Sequence, residues 1–150
     1  MESTLDIRTF TRRAAPGLPY EEMVQAVLPG WDISLVFAGE IRAKALNVAL
    51  RKKDYIPNVL SYETGNSKPA KGMTRSGEII ICPSIARKQA PEHELPYKEF
   101  LALLFIHGLL HLKGQRHGAT MERHERQLAA RFTNNVLSKL PNGTTHRNRH

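Results

Sequence analysis

The stretch HGLLHLKGQRHG, residues 107–118, carries three histidines, His107, His111 and His117, at offsets of four and six. Imidazole is a common ligand for first-row divalent metals, so the question is whether one ion can meet all three rings. Helical residues four apart differ by about 40° in direction and about 6 Å in height, so His107 and His111 share a face. On a continued helix His117 would lie about 9 Å further on and roughly 240° round, too far for nitrogens that approach one Zn2+ to about 2.0–2.1 Å. The helix therefore has to end between His111 and His117. Gly114 permits that end, because glycine adopts the left-handed conformation that turns a chain back at a helix C-terminus.

A single histidine in an apolar helix is usually a core residue with a satisfied ring. Three rings converging among leucines would be costly to bury without a shared partner, so the pattern points to one metal ion per chain. Three neutral imidazoles with a fourth position open suit Zn2+, with iron or nickel as alternatives, and an open position marks a catalytic rather than a structural zinc. Metzincin proteases share the H-x-x-x-H-x-x-G-x-x-H spacing but carry glutamate directly after the first histidine as general base. Gly108 stands there in this chain, which makes a peptide-cleaving metallohydrolase the minor reading.

The histidine pair needs a long helix, and residues 97–114, YKEFLALLFIHGLLHLKG, supply one. Pro96 and Glu99 suit its first turn and Gly114 its stop. Its apolar residues cover nearly the whole circumference, which predicts a central helix buried on most sides. Ahead of it, residues 4–10, TLDIRTF, alternate as a half-buried strand does, and Pro19 with Glu21 and Glu22 opens a short helix that Pro29 and Gly30 stop. WDISLVFAG reads as a second strand. Residues 40–51, EIRAKALNVALR, read as an amphipathic helix with Ile41, Ala45, Leu46, Val48 and Ala49 on its apolar face. NVLSY makes a short strand and GEIIICP a continuous apolar one, buried on both faces. Residues 120–139 form a charged amphipathic helix. These elements predict an α/β (α+β) fold, a mixed sheet of about four strands covered by helices, with two metal-ligand histidines on the central helix. No repeat or long linker divides the chain, so residues 1–140 are expected to form one domain and residues 141–150, PNGTTHRNRH, a basic tail.

A formal net charge of +8 over 150 residues makes a polyanion the expected partner, and nucleic acid is favoured over an anionic membrane. The cations cluster. Arg51, Lys52 and Lys53 end the second helix, where they also suit the negative end of its dipole, and residues 63–76 form a basic loop with Lys68, Lys71 and Arg75. Lys113 and Arg116 stand between His111 and His117, and Arg87 and Lys88 precede the long helix. His93 and His124 read as surface residues. The single Cys82 follows three isoleucines, which suits a buried thiol and a cytosolic chain, and the N-terminal residues lack an apolar leader. A soluble cytoplasmic protein is the expectation.

HGLLHLKGQRH closely resembles the H-G-x-L-H-L-x-G-x-D-H signature of the YbeY family, bacterial single-strand-specific endoribonucleases that mature ribosomal RNA and bind one zinc through three histidines. LNVALRKKD, NVLSY and GEIIIC are similar to the family's L-N-x-x-Y-R-x-K, T-D-V-L-S-F and G-D-I-x-I segments, in the same order, and MERHE to its Met-x-x-x-Glu. The resemblance implies that Arg51 lies by the catalytic site and that Ser61 is the serine of V-L-S-F. It departs from the family pattern at Arg116, where the signature has an acid, and at Asn58, Tyr62 and Glu78. Beside a zinc, the planar guanidinium of Arg51 would grip a phosphate through two hydrogen bonds. Lys52, Lys53, Ser61, Lys71, Arg75 and Arg116 would extend that contact along RNA. The implied function is a zinc-dependent endoribonuclease acting on ribosomal RNA precursors or ribosomes. The rival is a noncatalytic RNA-binding assembly factor in which zinc pins the long helix to the turn after it.

Overall fold

The computed structural model describes residues 1–12, 15–65 and 75–133. Its element order is β1 (Thr4–Phe10), α1 (Tyr20–Val27), β2 (Trp31–Ala38), α2 (Glu40–Arg51), β3 (Val59–Glu63), β4 (Arg75–Ile81), α3 (Pro83–Gln89), a 3-10 turn (Pro91–His93), α4 (Tyr97–Lys113) and α5 (Ala119–Thr133). The four strands form one mixed sheet in the order β1-β2-β4-β3. β1, β2 and β4 run parallel, and β3 pairs antiparallel with β4, with Ser61 opposite Ile79 and Glu63 opposite Gly77.

Period-two alternation along the strands separates two layers. Ile33, Leu35 and Phe37 of β2 and Ile79 and Ile81 of β4 join the main core with α1, α4 and α5. Val36, Ala38, Leu60 and Ile80 point the other way, toward Leu46 of α2. β4 is therefore buried on both faces, as its apolar run predicts, and Cys82 beyond it is buried too. α4 is the central element. Two glycines let it lie close to the sheet: a Cβ on Gly77 would stand 2.9 Å from Leu112 Cδ1, and one on Gly108 would stand 3.2 Å from Ile79 Cγ2.

Several sequence expectations require correction. β1 exists, but it is an edge strand and not half-buried; Leu5 packs against the core while Ile7 and Phe10 are exposed. Arg42 of α2 lies over the Phe10 ring at 4.2 Å. α2 forms over the predicted residues, but of the five expected on its inner face Leu46 alone packs against the core. Ile41 is 89% exposed and Ala45, Val48 and Ala49 also face out, while Ala43 and Asn47 are buried. The reason is a hydrogen bond: Asn47 Nδ2 donates to the Tyr55 carbonyl at 3.0 Å, so the amide turns inward and small Ala43, one turn earlier, meets the core. The basic loop is shorter than expected, since Glu63 ends β3 and Arg75 begins β4. Lys68 and Lys71 lie outside the described residues, as do the expected tail and residues 134–139, which the sequence assigns to the last helix.

Helix α3 escaped the sequence reading because its seven residues are too few to show a period. Pro83 at its start suits a helix N-terminus, and Ser84 Oγ donates to Glu40 Oε2 at 2.6 Å, tying α3 to the start of α2. Ala86 and Ala90 then pack on Phe100 and Leu104 of α4.

Candidate metal centre

His107 and His111 project from one face of α4, whose last turns are held against β3 and β4. At the end of this helix Gly114 takes φ of 106°, and its N–H and that of Gln115 both donate to the Leu110 carbonyl. This is the left-handed cap expected from the glycine, and it turns the chain back. Gln115 Nε2 lies 2.9 Å from His124 Nδ1, which braces the turn against α5. His124 is thus a half-buried bracing residue and not a plain surface one.

The turn brings His117 to the other two rings. Ring centroids are 4.6 Å apart for His107 and His111, 5.0 Å for His107 and His117, and 4.5 Å for His111 and His117. The three residues offer ligand atoms that all lie within 4.8 Å of one another, a grouping that can hold a metal ion. Nε2 of His111 and Nε2 of His117 are 3.0 Å apart, near the ~3.3 Å separation of two nitrogens on a tetrahedral zinc. Nδ1 of His107 is engaged by the Glu125 carboxylate, which leaves Nε2 of that ring for the ion. A carboxylate behind a ligand histidine selects the tautomer and sets the ring's direction. Burial, then the charges of His107, His117 and Arg51, pushes His111 down to about 4, so its ring is neutral near pH 7, as a ligand must be. The residues present fit a metal ion.

Glu125 is buried, and it carries no named role in the sequence reading. Its signal was the match of MERHE to the family's Met-x-x-x-Glu. Asn47 was missed altogether as a positioning residue. By holding the Tyr55 carbonyl it fixes the segment that follows Arg51.

Beside the histidines lies an open cavity of about 550 Å³, lined by Arg51, Ser61, Tyr62, His107, His111 and His117 among others. Ser61 shares the α4-facing side of β3 with Val59, by strand alternation. Arg51 enters from the last turn of α2. Lys52 is exposed and takes a left-handed cap with φ of 60°; Lys53 is exposed as well, and neither lines the cavity. Arg116 is exposed next to His117 in sequence but does not line the cavity either. Arg75 stands at the start of β4, where its Nε and Nη2 reach the two Glu63 oxygens at 2.6 and 2.7 Å and its guanidinium lies 4.8 Å from the Trp31 ring centre. Arg87 lies over Tyr97 at 4.2 Å.

Candidate proton acceptors in the cavity are few. Glu63 is engaged by Arg75, whose hydrogen bonds hold its carboxyl below the usual range. Tyr62 donates to Glu78, and burial, followed by that hydrogen bond, pushes its hydroxyl up to about 12, so it is no base near neutral pH. A side chain at Gly108, where a metzincin would carry glutamate, would press on Ile79, with its Cβ 3.2 Å from Ile79 Cγ2.

Comparison with known proteins agrees with this geometry. The family model described as endoribonuclease YbeY matches residues 4–140. A protein named endoribonuclease YbeY from Thiobacillus denitrificans is 41% identical over 101 residues, 66% of this chain and 67% of its own. Another of that name from Chromobacterium violaceum is 31% identical over 121 residues, covering 78% of this chain and 72% of its own. The solution structure of TM1509 from Thermotoga maritima matches the fold with a TM-score of 0.55 at 20% identity, over 85% of this chain and 87% of that one. A model match over nearly the whole chain, relatives above 30% identity and three clustered histidines together mean that the chain belongs to the YbeY family.

Proposed function

We propose that this protein is a zinc-dependent, single-strand-specific endoribonuclease that acts in the cytoplasm on ribosomal RNA precursors or ribosomes, in maturation and quality control. The observation that carries the reading is that three imidazoles and one arginine border the same open cavity. The relatives' name supplies the reaction class. The net charge of +8 suits a polyanionic substrate.

His107, His111 and His117 would hold the ion, with Glu125 keeping the His107 ring in its ligand tautomer. When bound, the ion supplies a Lewis acid beside the phosphate and a water whose pKa falls toward neutrality. Arg51 would bind the scissile phosphate through a fork of N–H donors and offset charge as it grows on the phosphoryl oxygens. Ser61 offers a hydroxyl on the strand side of the cavity. Lys52, Lys53 and Arg116 would contact phosphates further along the strand. Arg75 would have to exchange its Glu63 partner to join them, and Lys71 completes the set of proposed contacts.

The test is metal analysis together with a cleavage assay on single-stranded and duplex RNA. We expect one zinc per chain and cutting of the single strand. Arg51→Ala is expected to keep zinc and fold while cleavage falls about 100-fold, with Arg51→Lys recovering part of the rate because it lacks the paired donors. Full activity in Arg51→Ala would reduce this residue to a helix-end charge. RNA binding by the zinc-loaded protein without any cleavage would instead favour an assembly factor.

A further inference from the structure

A second cavity, of about 430 Å³, adjoins the first and shares Asn58, Val59, His107 and His117 with it. Its remaining walls differ in kind. Phe100, Leu103, Leu104 and Met121, from α4 and the first turn of α5, give it an apolar side, and of its two carboxylates Glu125 is engaged by His107, which leaves Glu122. At the side, the His93 ring stacks on Phe100 with centroids 4.7 Å apart and planes 24° from parallel. Glu122 stands at the rim, exposed, with no side-chain partner among the described residues.

A volume of this order, with an apolar side facing several polar groups, falls in the range of pockets for small ligands, roughly 300–1,000 Å³. The exposed His93 ring and the half-buried Leu103 side chain suit the flat face of a nucleobase. The carboxylate narrows the choice. Beside a site that handles phosphodiesters Glu122 repels the backbone, so its use to the substrate lies with hydrogen-bond donors. It is acceptor-only, with two oxygens side by side. Guanine presents N1–H and N2–H₂ as two adjacent donors that match this pair. Adenine and cytosine set a ring-nitrogen acceptor next to their amino group, and uracil sets carbonyls on both sides of its single N–H.

We propose that this cavity is a nucleobase subsite that receives guanine next to the scissile phosphate, with Glu122 reading its N1–H and N2–H₂ edge. The proposal rests on the ribonuclease reading for its place beside the phosphate, but its chemistry can be tested by binding alone. Glu122 also suits the positive end of the α5 dipole, a role that does not depend on which base is bound.

The experiment uses the full-length, metal-loaded protein. Guanosine 3′- and 5′-monophosphates and the matching inosine monophosphates, which lack the 2-amino group, are titrated by calorimetry against the parent and against Glu122→Gln. The better guanosine isomer should bind the parent about ten-fold more tightly than its inosine counterpart, the scale of one lost hydrogen bond to a charged group. In Glu122→Gln the two should agree within about two-fold, because the paired acceptors are gone. A second variant, Leu103→Trp, fills the cavity and should weaken all four ligands alike. Equal binding of guanosine and inosine by the parent, a ratio that survives Glu122→Gln, or no binding of any of the four would overturn the subsite. A cleavage assay run in parallel separates the two readings. Cutting without regard to base, with equal binding, overturns the subsite and leaves the ribonuclease. Discrimination between the monophosphates without cleavage of any RNA overturns the ribonuclease and leaves a guanine-nucleotide site.

Discussion

Helices α2 and α4 both deliver residues to the candidate site, and they are held in different ways. α4 buries ten of its 17 residues, so a shift of His107 or His111 would disturb packing on nearly every side. α2 buries two of its 12, Ala43 and Asn47, and leaves Ile41, Val48 and Leu50 exposed, so Arg51 rides on an element anchored along one narrow strip. The contrast fits the two tasks proposed for these residues. Metal ligands must converge to within tenths of an ångström, and a core enforces that before the ion arrives. A guanidinium that grips a phosphate on a flexible strand gains from a mounting that can adjust.

The largest effect expected from this contrast is at α4. His111→Ala should lose more metal affinity than the ~100-fold typical of removing a residue behind a ligand, because it removes a ligand itself. Elemental analysis of the purified variant checks this, and near-stoichiometric metal in it would break the assignment. Next comes packing. Gly108→Glu should destabilise the protein by about 3 kcal/mol or more, by driving a carboxylate into Ile79, while Gly108→Ala should stay within about 1 kcal/mol, its helix propensity offsetting the close contact. Denaturant midpoints measure both. A stable Gly108→Glu would mean that α4 is less tightly seated than its contacts imply.

A smaller effect is expected at Glu125. Glu125→Ala should weaken metal binding about 10–100-fold, and Glu125→Gln should recover part of it by keeping a hydrogen-bond acceptor against His107 Nδ1. Competition with a chelator of known affinity gives the ratio, and the order of the two variants separates ring orientation from general destabilisation. The smallest effect belongs to α2. Ile41→Glu should change stability by less than about 0.5 kcal/mol, since the side chain is 89% exposed. A loss comparable to that of Gly108→Glu would erase the distinction between the two helices.

How much of this was legible beforehand depended on the range of the interaction. The histidine cluster, its Gly114 turn and the buried β4 follow from spacing and local conformational preference, so they could be read within a dozen residues. The orientation of α2 could not. Hydropathy favoured Ile41, Ala45 and Val48 as the inner face, but the buried strip is Ala43 and Asn47 with Leu46 beside them, and Asn47 is held inward by its bond to the Tyr55 carbonyl eight residues on. β1 likewise has strand alternation, yet its burial depends on what lies beside it, and as an edge strand it is covered only in part.

What the residues determined by themselves is the histidine cluster that could hold a metal ion. Offsets of four and six with a glycine between bring three imidazoles together in a way set by helix geometry and the left-handed cap. The excess of positive charge is likewise independent of the fold, because it is a sum over side chains. Tertiary structure decided which charges are engaged and which rings are aimed. Arg75 meets Glu63 because β3 and β4 pair, and Glu125 meets His107 because α5 folds back along α4. Such pairings cross 12 and 18 residues of chain, and their geometry is set by how strands register and helices pack, which no local pattern encodes.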